Sequence, residues 1–120
     1  MRKVLYPALV GAMLGLAGCN TVSPAGYYWG DYSDTLYAYT KAPSSETLAA
    51  HTAELEDIIQ ESQERNLKVP PGIHAELGYI MANRGDSQQA VAHYQAEMQL
   101  YPESRLFIER LIAQTNDTKR

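Results

Sequence analysis

PGIHAELGYIMANRGDSQQAVAHYQAEMQLYPES, residues 71–104, is the stretch that decides the fold. Leu77, Ile80, Met81 and Arg84 follow an i, i+3, i+4, i+7 pattern, with Ile73 one turn earlier. Ala90, Val91, Tyr94, Met98 and Tyr101 recur every three to four residues. Both patterns predict amphipathic helices. Gly85 stops the first, because the residue after a helix commonly turns left-handed and glycine does so without a Cβ clash. Asp86 or Ser87 is placed to cap the second by accepting its free N–H groups. Pro102 ends the unit, since proline cannot continue a helix. Gly78 and Ala90 are small where the two helices would cross, and Tyr94 is large enough to fill the space beside them.

This spacing resembles a tetratricopeptide repeat, a helical pair of about 34 residues. Leu77, Gly78, Ala90, Tyr94 and Pro102 fall on its consensus positions. His74, Met81 and Glu97 depart from it, standing where Trp, Tyr and a small residue are usual. In such repeats the first helix of each pair lines a concave groove. The resemblance therefore implies groove positions at Gly72, Ala75, Tyr79, Ala82 and Asn83. Tyr79 offers area and a hydroxyl, and Asn83 can both donate to and accept from a peptide backbone. Ala75, Tyr79 and Asn83 are thus candidate partner-binding residues.

Working outward, residues 46–66 predict one long helix after a Ser44-Ser45 cap. Leu48, Thr52, Leu55, Ile59 and Ser62 form one face, widened by His51 and Ile58; Glu54, Asp57, Glu61 and Glu64 form a solvated acidic face. Before it, Trp29, Tyr32, Leu36 and Tyr39 share a helical face, with Asp31 or Ser33 as cap. Tyr27, Tyr28 and Tyr37 fall off that face. Tyrosine is enriched in binding hot spots, so these three form a second candidate partner surface. Beyond Pro102, Leu106, Phe107, Ile108, Leu111 and Ile112 predict a last helix that covers the open end of the stack. The expected fold class is all-α: about two tetratricopeptide-like antiparallel pairs plus a C-terminal capping helix, over residues 27–115. A polar tail follows at 116–120.

Residues 1–18 read as a targeting segment. Arg2-Lys3 is a positive start, and the apolar run of residues 4–16 is too short to span a membrane. It ends Leu16-Ala17-Gly18-Cys19, which resembles the bacterial lipobox. That resemblance implies a covalent lipid on Cys19 as the first mature residue. Several acyl chains anchor stably where one binds marginally. Asn20 follows the cysteine; the family rule reserves aspartate there for inner-membrane retention, so the implied destination is the periplasmic face of the outer membrane. Residues 19–26 form a short lipidated tether.

The chain has 120 residues, a net charge of −4 and a pI near 5.3, which disfavours binding to a phosphate backbone, so no nucleic-acid partner is expected. Cys19 is the only cysteine, so no intrachain disulfide forms. His51, His74 and His93 have no metal-ligand spacing, and no phosphate loop or nucleophile elbow is present. Beyond the lipid on Cys19, no cofactor, metal or enzymatic activity is expected.

Trp29-Gly30-Asp31-Tyr32, Leu36-Tyr37 and the helices that follow resemble a family of small proteobacterial lipoproteins of uncharacterised function. Its genes commonly accompany a lipoprotein related to the curli secretion channel and another small lipoprotein. The resemblance implies a protein-binding adaptor or assembly factor, partnered by other envelope lipoproteins or a secretion-channel-type protein. The alternative is a cell-wall-active enzyme, or a regulator of one, using carboxylates such as Glu54, Glu56 and Asp57.

Overall fold

The computed structural model describes residues 26–118; the Leu16–Cys19 motif and residues 19–25, expected to form a lipidated tether, lie outside them. The described residues contain five α-helices: α1 (Tyr32–Lys41), α2 (Ser45–Glu64), α3 (Ile73–Asn83), α4 (Ser87–Leu100) and α5 (Arg105–Asp117). A short 3₁₀ turn, Pro102–Ser104, joins the last two. The fold is all-α. α1 packs on α2, α2 on α3, α3 on α4 and α4 on α5, so sequence neighbours are also neighbours in space.

The boundaries follow from local chemistry. Ser44 and Thr47 form a capping box at α2: the Ser44 hydroxyl accepts the Thr47 N–H and the Thr47 hydroxyl accepts the Ser44 N–H. The Asp86 carboxylate caps α4 by accepting the Gln89 N–H at 3.1 Å. Gly85 turns left-handed between α3 and α4, with φ at 83°. At α1 the cap differs from expectation. Asp31 occupies the N-cap position without a side-chain bond; instead its own N–H donates to Glu54 Oε1 at 2.8 Å.

The core lies between α2, α3 and α4, where Leu55, Ile58, Ile73, Leu77, Ala90 and Tyr94 are almost wholly buried, with Ile108 of α5 closing it. Each large apolar side chain stabilises the fold by roughly 1.5–3 kcal/mol relative to exposure. The α3/α4 crossing is tight at Gly78. A Cβ on Gly78 would lie 2.8 Å from Tyr94 ring carbons and 3.1 Å from the Ala90 carbonyl oxygen. No larger residue fits without moving α4.

α5 meets the stack through Ile108 and Thr115, with Leu111 and Ile112 half-buried between them. Leu106 and Phe107 point outward, 74% and 61% exposed. They fall outside the 108–111–112–115 stripe, so of the five apolar residues expected to cover the stack, two do not.

Ala90→Leu should cost roughly 1–3 kcal/mol by overpacking the crossing, as should Gly78→Ala if α4 is displaced. Urea denaturation of each variant checks this; unchanged midpoints would put the crossing elsewhere.

Candidate functional site

α3 is the central helix, and its outward residues form a ridge. Tyr79 is 55% exposed, and Asn83, one turn on, is exposed beside it. A hollow flanks the ridge on each side, and both residues line both hollows. One, of about 440 Å³, lies between α3 and α5, walled by Leu111, Gln114 and Thr115. The other, of about 260 Å³, lies between α1 and α3, walled by Leu36, Tyr39 and Leu48, with Ile80 and Arg84 on the α3 side.

Glu76 and His51 also line the second hollow, and there three helices meet through polar groups. Glu76 of α3 accepts from the His51 ring of α2 on Oε1 and from the Tyr32 hydroxyl of α1 on Oε2, the latter at 2.7 Å. The other ring nitrogen of His51 lies 2.8 Å from the Thr35 hydroxyl of α1. His51 is only 1% exposed. Burial, then the bond to Glu76, pushes the Tyr32 phenol up to about 12, so it stays a neutral donor throughout the physiological range. Thr35, His51 and Glu76 stand in the order of an acyl-transfer relay. Yet both imidazole nitrogens and both carboxylate oxygens are committed within the fold, and the Thr35 hydroxyl also reaches the Tyr32 carbonyl. The arrangement serves to bind α1 to α2 and α3.

A second histidine pair sits on the other side of α3. His74 Nδ1 and His93 Nδ1 are 3.0 Å apart, with ring centroids separated by 5.3 Å. One Nδ1–H donates and the other nitrogen accepts, so at least one ring is neutral. Burial, then the facing His93, lowers His74 to about 4. Burial also lowers His93, against the pull of the Glu56 carboxylate. Among the described residues, no group of three or more metal-ligating side chains forms.

Residues 27–111 match the family model described as Domain of unknown function (DUF4810). The chain belongs to this family. No curated protein and no solved structure matches it.

The DUF4810 match runs from Tyr27 to Leu111, so it takes in the ridge and the hollow between α1 and α3. Of the residues singled out in the sequence, the fold brings Tyr79, Ala82 and Asn83 together on the ridge. Ala75 is half-buried against the core and lines neither hollow, and Gly72 donates its N–H to Glu97 Oε1 at the start of α3. The surplus tyrosines divide. Tyr27 meets Trp29 edge-on and bonds Tyr101; Tyr28 lies under the Arg65 guanidinium, 4.4 Å from its ring centroid. Both are engaged inside the domain. Tyr37 faces outward, 64% exposed.

Three contacts of the region escaped sequence reasoning. The first is His51–Glu76, joining residues 25 apart. The second is Glu54, read as part of a solvated face. It is half-buried, its carboxyl is raised chiefly by that burial, and it holds the Asp31 N–H. The third is the His74–His93 pair, which lies at no recognisable ligand spacing and is formed by the α3/α4 crossing. Arg84, the cation of the second hollow, was visible only as the end of an apolar stripe.

The lowered His74 makes stability pH-dependent. The folded state binds its proton less readily than the unfolded chain does, so this contribution is complete above about pH 6.5 and lost as pH falls toward 4. The loss should reach roughly 3 kcal/mol at most, at 1.36 kcal/mol per unit. Urea midpoints between pH 7.5 and 4.5 should fall more steeply for wild type than for His74→Leu, which has no proton to take up. Parallel slopes would show that the pair is not responsible.

Proposed function

We propose that this DUF4810 protein is a lipid-anchored adaptor on the periplasmic face of the outer membrane. In this reading it is a tetratricopeptide-like stack that binds another envelope lipoprotein or a secretion-channel-type protein. The observation that carries the reading is the Tyr79–Asn83 ridge. An aromatic residue and an amide stand exposed between two hollows, on a helix whose opposite side is core. Burying such a tyrosine against a partner gains apolar area while its hydroxyl keeps a hydrogen bond.

The anchor rests on sequence. Leu16-Ala17-Gly18-Cys19 supports lipidation at Cys19, and residues 20–26 would lift the helices off the bilayer. No helix among the described residues is long and apolar enough to cross a membrane, and this is compatible with attachment through lipid alone. Secretion-related partners are supported by the resemblance to small lipoproteins encoded beside a curli-channel relative.

Two experiments test the proposal. A Tyr79→Ala/Asn83→Ala double variant should keep its circular dichroism spectrum while recovery of partner from detergent-solubilised envelopes falls by about tenfold or more, as expected when a hot spot is removed. Undiminished recovery would move the site away from the ridge, with Tyr37 the next exposed aromatic. Cys19→Ala should abolish outer-membrane fractionation; a variant that still sediments with that membrane would overturn the anchor.

A further inference from the structure

The hollow between α1 and α3 has a charge arrangement that the adaptor reading does not use. Its carboxylate, Glu76, is engaged within the fold: His51 donates to one oxygen and Tyr32 to the other. Its cation is not. The Arg84 guanidinium makes one long contact, 3.4 Å to the Thr52 hydroxyl, and neither ion pair of the described residues includes it. Asp86, two residues on, is turned to cap α4. An exposed guanidinium without an ion-pair partner among the described residues therefore lines a hollow whose apolar walls are Leu36, Tyr39, Leu48 and Ile80.

We propose that this hollow receives the side chain of an aspartate or glutamate, flanked by an apolar residue, from an extended segment of a partner protein, with Arg84 as its counter-ion. The inference rests on the adaptor reading and names the partner's chemistry. Guanidinium and carboxylate match in charge and in planar, two-pronged geometry. Arg84 is exposed at the rim of the hollow, so the pair alone contributes little, as exposed bridges do, and the half-buried Leu36 and Tyr39 beside it add apolar contact for the flanking residue. Hollows on both sides of the Tyr79–Asn83 ridge suit a segment that crosses α3 and lowers successive side chains into each. Asn83 stands at the crossing to bond its backbone. Residues 20–26 hold no acidic residue, so the protein's own tether cannot supply the group.

The test places the photo-reactive residue p-benzoylphenylalanine at Tyr39 in the full-length lipidated protein, irradiates intact envelopes and maps the adducts by mass spectrometry. The expected adduct is a partner segment with an aspartate or glutamate next to an apolar residue. Its yield should fall severalfold with Arg84→Gln, the order expected for an exposed ion pair, and recover when Arg84→Glu is paired with a basic substitution at the mapped acid. Arg84→Lys, which keeps the charge without the fork, should give an intermediate yield. A mapped segment without an acidic residue, or a yield indifferent to Arg84→Gln, would overturn the carboxylate assignment and leave the adaptor reading standing. Adducts to the terminal carboxylate of a partner, to a second copy of this protein or to residues 20–26 would likewise overturn it. Absence of any adduct from Tyr39 or from a second probe at Tyr79 would overturn both.

Discussion

The Glu76 carboxylate is the interaction on which the shape of the molecule depends. α1 has no fully buried residue of its own. What holds it is a set of polar ties: Tyr32 to Glu76, Thr35 to His51, and the Asp31 N–H to Glu54. Half-buried Trp29 and Tyr32 add apolar contact beside them. The part-buried Tyr32–Glu76 bond is charge-assisted and contributes roughly 1.5–3 kcal/mol, the exposed bond to Glu54 less, and together these ties supplement the limited burial that docks α1. The consequence is spatial. Side-chain reach, rather than helix-on-helix packing, sets the separation of α1 from α3, and a hollow is left between them. Gly30 belongs to the same device: a Cβ there would lie 2.2 Å from Glu54 Oε1, and its φ of +48° already favours glycine.

On the other side of α3 the opposite principle operates. Gly78 and Ala90 bring α3 and α4 together until the Tyr94 ring fills the remaining space. Close packing on one side and polar spacing on the other leave α3 buried along one stripe and exposed along another. Tyr79 and Asn83, one turn apart, occupy the exposed stripe. The ridge is thus a product of asymmetric packing, and changes at Gly78 or at Glu76 would alter it from opposite sides.

Much of this was legible from spacing. The 77–80–81 and 90–94–98 patterns, Gly85, Asp86 and the Ser44 cap mark α2, α3 and α4 because they are local: one helix period or one capping contact reads within a few residues. Gly78, Ala90 and Tyr94 were legible as two small residues and one large one at the expected helix crossing. The polar junction was not. His51 and Glu76 are 25 residues apart, and a histidine on an apolar stripe reads as core until its partner is known. Glu54 looked solvated for the same reason; the residue whose N–H it holds, Asp31, comes from the segment before α1. α5 shows the limit of counting apolar residues: Leu106 and Phe107 lie in a hydrophobic run but off its stripe, so they face outward. Glu97 is buried on α4, and its carboxylate reaches the loop before α3 to accept the Gly72 N–H, close to the positive end of that helix.

The two roles of the junction are coupled. An incoming carboxylate in the α1/α3 hollow would meet Glu76, and two bare carboxylates in a partly buried site repel strongly. The donors that hold α1 in place, His51 and the Tyr32 hydroxyl, also occupy both oxygens of Glu76 and spread its charge. With Tyr32 pushed up to about 12, its proton stays on that bond across the physiological range. Positioning α1 and screening the acid are therefore one set of hydrogen bonds. Loss of either donor would both loosen the wall of the hollow and expose a negative charge opposite Arg84, 8 residues along at the C-cap of the same helix. A wall held by apolar contact alone would shape the hollow without screening Glu76. This junction does both, which gives the polar docking of α1 a physical rationale beyond stability.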